Sequence, residues 1–75
     1  MTKEKISLFA ETIIYMNNRV KIWFKDGSSI TGYFERSVST NELNHDNKWE
    51  FYTLSKKRVI IFDGNDFLSI AIYQI

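Results

Sequence analysis

A small, mostly β domain, with one helix leading into five strands, is what this sequence predicts. Three observations carry the prediction. Apolar residues recur at three-and-four spacing up to about residue 17 and at spacing two after it. Asp26-Gly27 and Asp63-Gly64 punctuate the second part as turn signals. No proline interrupts any segment.

The helix is expected over about residues 3–17. Ile6, Phe9, Ala10, Ile13 and Met16 fall on one face of a 3.6-residue repeat. Thr2 and Ser7 are both candidate N-caps, and Asn17-Asn18 suits a left-handed stop. The strands are expected over about residues 19–74. In the first, Val20, Ile22 and Phe24 point one way while Lys21, Trp23 and Lys25 point the other. Lys25-Asp26-Gly27-Ser28 forms a tight turn. The second strand, roughly Ser29 to Ser37, carries Ile30, Gly32 and Phe34 on one face. A glycine inside a strand marks a sharp bend or bulge. Residues 37–47 read as a polar loop. Lys48 to Leu54 is an aromatic-rich third strand, and Ser55-Lys56-Lys57 turns the chain. Val59 to Phe62 is the fourth strand, Asp63-Gly64-Asn65 a second tight turn, and Phe67 to Gln74 the fifth strand. One helix and a five-stranded antiparallel meander with such turns predict a strongly bent small barrel, closed or nearly so.

Seventy-five residues make one domain. A chain of this length buries only roughly 60% of its unfolded surface, so its stability is thin without an added constraint. There is no cysteine to form a disulfide, and His45 is the only histidine. No metal site, cofactor or small-molecule substrate is expected from such an inventory. The net charge of +1 gives no global attraction toward nucleic acid or anionic membrane. No apolar run approaches membrane-spanning length, and the N-terminal stretch MTKEKISLFAET lacks a signal-peptide core. A cytoplasmic location is the expectation.

Catalysis is not expected either. No thiol nucleophile exists, and His45 beside Asp46 sits in a polar loop with no apolar enclosure to tune it. Asp63 and Asp66 in DGND lack the EF-hand spacing and its bidentate glutamate, and a hairpin turn accounts for them.

The run VKIWFKDGSSITGYF resembles the first Sm motif: an alternating strand, an Asp-Gly turn, then a glycine in a bent strand. The run VIIFDGNDFLSIAI resembles the second: an apolar strand, a glycine turn with a polar neighbour, and an apolar strand ending in isoleucine. The chain is thus similar, over nearly its whole length, to the Sm-like small-barrel family, in a diverged form of bacterial or phage type. The resemblance implies a barrel behind an N-terminal helix. It also implies homo-oligomeric rings, in which the fourth strand of one subunit pairs with the fifth of the next, and often single-stranded RNA binding. The positions that build the family's base pocket differ here. Val38 stands where aspartate is usual, Glu42 where asparagine is usual, with Asn41 adjacent, and Asp63 where arginine is usual. A carboxylate at that last position would repel a phosphate path.

The last two strands carry the partner argument. Val59, Ile60, Ile61 and Phe62 are apolar on both faces. Leu68, Ile70 and Ile72 are expected on one face of the fifth strand, with Phe67, Ala71 and Tyr73 on the other. Strands apolar on both faces are covered on both, and a bare apolar edge invites aggregation. The expected oligomer interface is therefore Val59, Ile60, Ile61, Phe62, Leu68, Ile70 and Ile72. The bland alternative is that the helix covers one of these faces within a single chain. For RNA, the candidates are Trp23 as a stacking platform, Asn41, and the basic pair Lys56 and Lys57. That basic cluster is better explained as a solvated turn, since no other basic stripe accompanies it. Two readings remain: a non-catalytic, self-assembling module with a protein partner, and a diverged Sm-like RNA binder.

Overall fold

The computed structural model describes residues 1–16 (the backbone alone for 12–16), 18–35 and 46–73. Helix α1 spans Lys3–Met16. Thr2 is its N-cap: its Oγ1 accepts from the Lys5 N–H at 3.3 Å, and its carbonyl accepts from the Ile6 N–H at 3.1 Å. Ile6 and Ala10 are fully buried, while Leu8 points away to solvent. Asn17, the expected stop, lies outside the described residues.

Five strands follow: β1 Val20–Phe24, β2 Ser29–Phe34, β3 Lys48–Thr53, β4 Arg58–Asp63 and β5 Phe67–Ile72. They form one antiparallel sheet in the order β4-β3-β2-β1-β5. The periodicity placed the strand ends within a residue or two, except that β2 stops at Phe34, short of the expected Ser37; Ser37 and Gln74 themselves fall outside the described residues.

The sheet bends at Gly32. The first half of β2 pairs with β1 and the second half with β3. Gly32 belongs to both ladders, opposite Val20 on one side and Thr53 on the other. A Cβ at this position would collide with the carbonyl of Tyr52. Only glycine lets the strand turn this corner. The bend folds the sheet over itself, so that Phe62 on β4 reaches Phe24 on β1, with ring centroids 5.6 Å apart. Phe24 in turn meets Phe67 on β5 at 5.5 Å. Inside lie Val20, Ile22, Phe34, Trp49, Phe51 and Phe67, with Ile6 and Ala10 of the helix.

Helix α1 therefore covers the concave, core side of the sheet. β4 and β5 form the two ends of the strand order and do not pair with each other. Among the described residues the sheet is open, and hydrogen bonds do not close it into a barrel.

Two local features depart from expectation. The turn after β4 is a 3₁₀ turn over Gly64–Asp66, and Asp63 caps it by accepting from the Asn65 N–H at 2.9 Å. Asn47, expected at the end of a polar loop, is buried with φ +58°. Its side-chain amide donates to the Met1 carbonyl at 3.1 Å and to Asn65 Oδ1 at 3.0 Å. Its Oδ1 accepts from the indole N–H of Trp49 at 2.8 Å. The Asn47 backbone carbonyl takes the Gly64 N–H at 2.7 Å. One asparagine thus ties the start of the chain to the β4–β5 turn, and satisfies a buried indole.

Candidate interaction surface

The register assigns each side chain to a face, because directly opposed residues share one. On β4, Ile60 and Phe62 oppose the buried Phe51 and Trp49, so both face the core and are half-buried. Val59 and Ile61 oppose Tyr52 and Glu50 on the outer face and are 45% and 54% exposed. The helix lies on the other side of the sheet, so it does not cover this face. Among the described residues, the helix therefore covers the core face of β4 and not its outer face.

On β5, the faces differ from the simple alternation. Trp23 opposes Ser69 while the next residue, Phe24, opposes Phe67. Leu68 is therefore an extra residue, a β-bulge. It puts Phe67 on the same side as Ile70 and Ile72, where the alternating pattern placed it opposite. Phe67 is fully buried and Leu68 is 62% exposed. Ile70 opposes Ile22 and is half-buried; Ile72 opposes the buried Val20, yet it is 45% exposed at the sheet's end.

The seven expected interface residues thus fall on two separate edges. Val59, Ile60, Ile61 and Phe62 lie on one, and Leu68, Ile70 and Ile72 on the other. An edge strand presents unpaired backbone groups along its whole length. Here each edge adds exposed aliphatic surface to those groups.

Of the candidate RNA residues, the described ones, Trp23, Lys56 and Lys57, lie on separate parts of the sheet. Trp23 lies on the outer face of β1, where the Lys21 ammonium sits 5.2 Å from its ring centroid. The same ammonium is 5.4 Å from the ring of Tyr73, just past β5. A cation is thus held between two aromatic faces. Sequence reasoning missed the pairing of Lys21 with Tyr73, because it depends on the Val20↔Ile72 register and on no local pattern. Lys56 and Lys57 are exposed on the turn between β3 and β4, which lie on the other side of β2 from Trp23. Asn41 lies outside the described residues, as do Val38 and Glu42.

Asp63 is engaged in structure. It accepts from Lys48 Nζ at 2.8 Å and from the Asn65 N–H. The hydrogen bond from Lys48, followed by that from Asn65, holds its carboxyl below the ordinary carboxylate value, and the same pair raises Lys48. A side chain committed in this way, and ionised at neutral pH, is a poor neighbour for phosphate. Among the described residues, no cluster of three or more metal-ligating side chains forms, and no helix is long and apolar enough to cross a membrane.

Set against protein-family models, curated proteins and solved structures, the chain matches none.

Proposed function

We propose that this chain is a non-catalytic, self-assembling interaction module of the Sm-like type, whose barrel is completed between copies. The observation that carries the reading is the outer face of β4. Val59 and Ile61 stand 45% and 54% exposed on an edge strand. A second edge of the same molecule, β5, presents Ile72 and Leu68. A chain this short gains stability by burying such surface against a copy of itself. A bent sheet with two free edges offers one route: β4 of one copy pairs with β5 of the next, which leaves neither exposed.

The strand order and the corner at Gly32 support the resemblance seen in the two sequence motifs. The pocket positions support the absence of the usual RNA site, since Asp63 serves the β4–β5 turn. The module's partner, beyond its own copies, is proposed to be protein.

Sedimentation velocity tests this reading. The expected result is an oligomer at micromolar concentration that dissociates when Ile61 is changed to Lys, while the far-ultraviolet dichroism is unchanged. Because Ile61 is exposed on the outer face, the single chain loses no core contact. Retention of the oligomer in Ile61→Lys would place the assembly surface elsewhere.

A further inference from the structure

We infer that the cavity between the β1–β2 turn and the β4–β5 turn receives an arginine side chain of a protein partner, with its guanidinium against Phe24 and Phe62 and paired with Asp26 and Asp66. The inference rests on the protein-partner part of the reading above and does not depend on self-assembly.

Two turns build the cavity. The end of β1 and the start of β5 are neighbours, because Phe24 opposes Phe67. The Lys25 N–H donates to the Asp66 carbonyl at 2.9 Å, which ties the β1–β2 turn to the 3₁₀ turn. Within the first turn, the Phe24 N–H donates to the Ser28 carbonyl at 2.8 Å. Asp26 Oδ1 accepts from the Ser28 N–H at 2.9 Å and from the Ser28 hydroxyl at 2.6 Å. Phe62 arrives from β4 and brings its ring centroid to 5.6 Å from that of Phe24. A space of about 600 Å³ remains, lined by Phe24, Lys25, Asp26, Ser28, Phe62 and Asp66. Ligand sites are commonly roughly 300–1,000 Å³, so a long side chain enters this one together with part of its backbone.

The lining selects the occupant. Phe24 and Phe62 are half-buried and give the cavity an aromatic wall. Around them, two carboxylates stand against one ammonium, so the lining is net negative. Among the described residues, neither Asp26 nor Asp66 is in an ion pair, whereas Asp63 is paired with Lys48. Among the same residues, no ammonium sits over Phe24 or Phe62, whereas that of Lys21 lies against Trp23 and Tyr73. The two bonds from Ser28 hold the Asp26 carboxyl below its ordinary value, so it is charged at neutral pH. Both bonds fall on Oδ1, which leaves Oδ2 to an incoming donor.

An organic cation answers both features at once. Aromatic faces attract it, and the carboxylates pair with it. A guanidinium suits the cavity better than an ammonium. It is planar and weakly hydrated, it stacks on aromatic rings, and its forked donors match a carboxylate. A neutral apolar group would leave both carboxylates unanswered. A phosphate would meet two like charges, which disfavours a nucleic-acid backbone here.

Titration of the isotope-labelled chain with N-acetyl-arginine methylamide, followed by nuclear magnetic resonance, tests the site. The expected result is saturable shifts of the Phe24 and Phe62 ring signals and of the Ser28 and Asp66 amides. The citrulline analogue, equal in shape but uncharged, should bind at least several-fold more weakly, and the lysine analogue more weakly than arginine. Asp26→Asn keeps an oxygen for the Ser28 bonds, so the turn is retained. Asp26→Asn and Asp66→Asn should each weaken binding by about twofold to fivefold, as for an exposed charge pair. Lys25→Ala removes a like charge and should strengthen it, a change of sign that lost folding cannot produce. An absence of saturable shifts, equal binding of the citrulline analogue, or unchanged affinity in both Asn variants would overturn the site. A lysine analogue as tight as arginine would overturn the assignment to a guanidinium. Light scattering on the same samples reports self-assembly separately. An assembled chain that ignores the arginine probe removes this site and leaves the parent reading, whereas a monomer that binds it keeps the site and removes self-assembly.

Discussion

Replacing Asn47 with Ala should come close to unfolding this domain, although the residue is polar and follows a loop. Its Oδ1 is the acceptor for the buried Trp49 indole. Losing it leaves a buried donor unsatisfied, at about 1–3 kcal/mol. Two hydrogen bonds from the side-chain amide, to Met1 and Asn65, go as well, at about 1 kcal/mol each. Asn tolerates the φ of +58° and Ala does not, which adds about 1 kcal/mol. The total is about 4 kcal/mol or more, against a full stability of roughly 5–15 kcal/mol for globular domains. For a chain of this size, each kcal/mol is about 4–8 °C in Tm, so a drop of about 16 °C or more is expected. Thermal denaturation followed by circular dichroism reads this, at one fixed protein concentration because assembly makes Tm concentration-dependent. Trp49→Phe supplies the control. With no indole N–H to orphan, Asn47→Ala should cost about 1–3 kcal/mol less in that background. A drop of under about 5 °C, or an equal cost in both backgrounds, would refute the role assigned to Asn47.

Three further outcomes are expected. Gly32→Ala should lower Tm by about 10 °C or more, since a Cβ meets backbone and not a movable side chain; Gly27→Ala, in a turn with open space around it, should cost less and only through its φ of +92°. Asp63 has a folded pKa below its ordinary 3.8, so its contribution to stability is full above that pH and drains as pH falls through the lower folded value. Urea titrations from pH 7 to pH 2 should show wild type and Asp63→Asn converging at the acid end, and a constant gap would contradict this. Fluorescence anisotropy with U-rich and A-rich RNA oligomers should stay flat at low salt, and Lys56→Ala with Lys57→Ala should change nothing. Micromolar binding that weakens steeply with salt would instead favour the RNA-binding reading.

Much of the fold was legible because it rests on periodicity. The change of spacing near residue 17 separates helix from strands, and Gly32 stands out as a glycine inside an alternating strand. The β5 faces were not legible, because the bulge at Leu68 adds one residue without changing any local pattern. What fixes the bulge is the Phe24↔Phe67 pairing, a contact between residues far apart in sequence. Asn47 was hidden for a similar reason. A polar residue after a polar loop looks solvated until Met1, Trp49 and Gly64 converge on it. The apolar excess on β4 was visible at once. Its meaning depended on where α1 lies, and only packing decides that.

The central claim is that this chain assembles through its sheet edges, and the mass of the wild-type particle tests it most directly. Size-exclusion chromatography with multi-angle light scattering, at micromolar protein and physiological salt, should return an integer multiple, greater than one, of 8.9 kDa. A single species at the mass of one chain, unchanged across a hundred-fold range of concentration, would contradict the account.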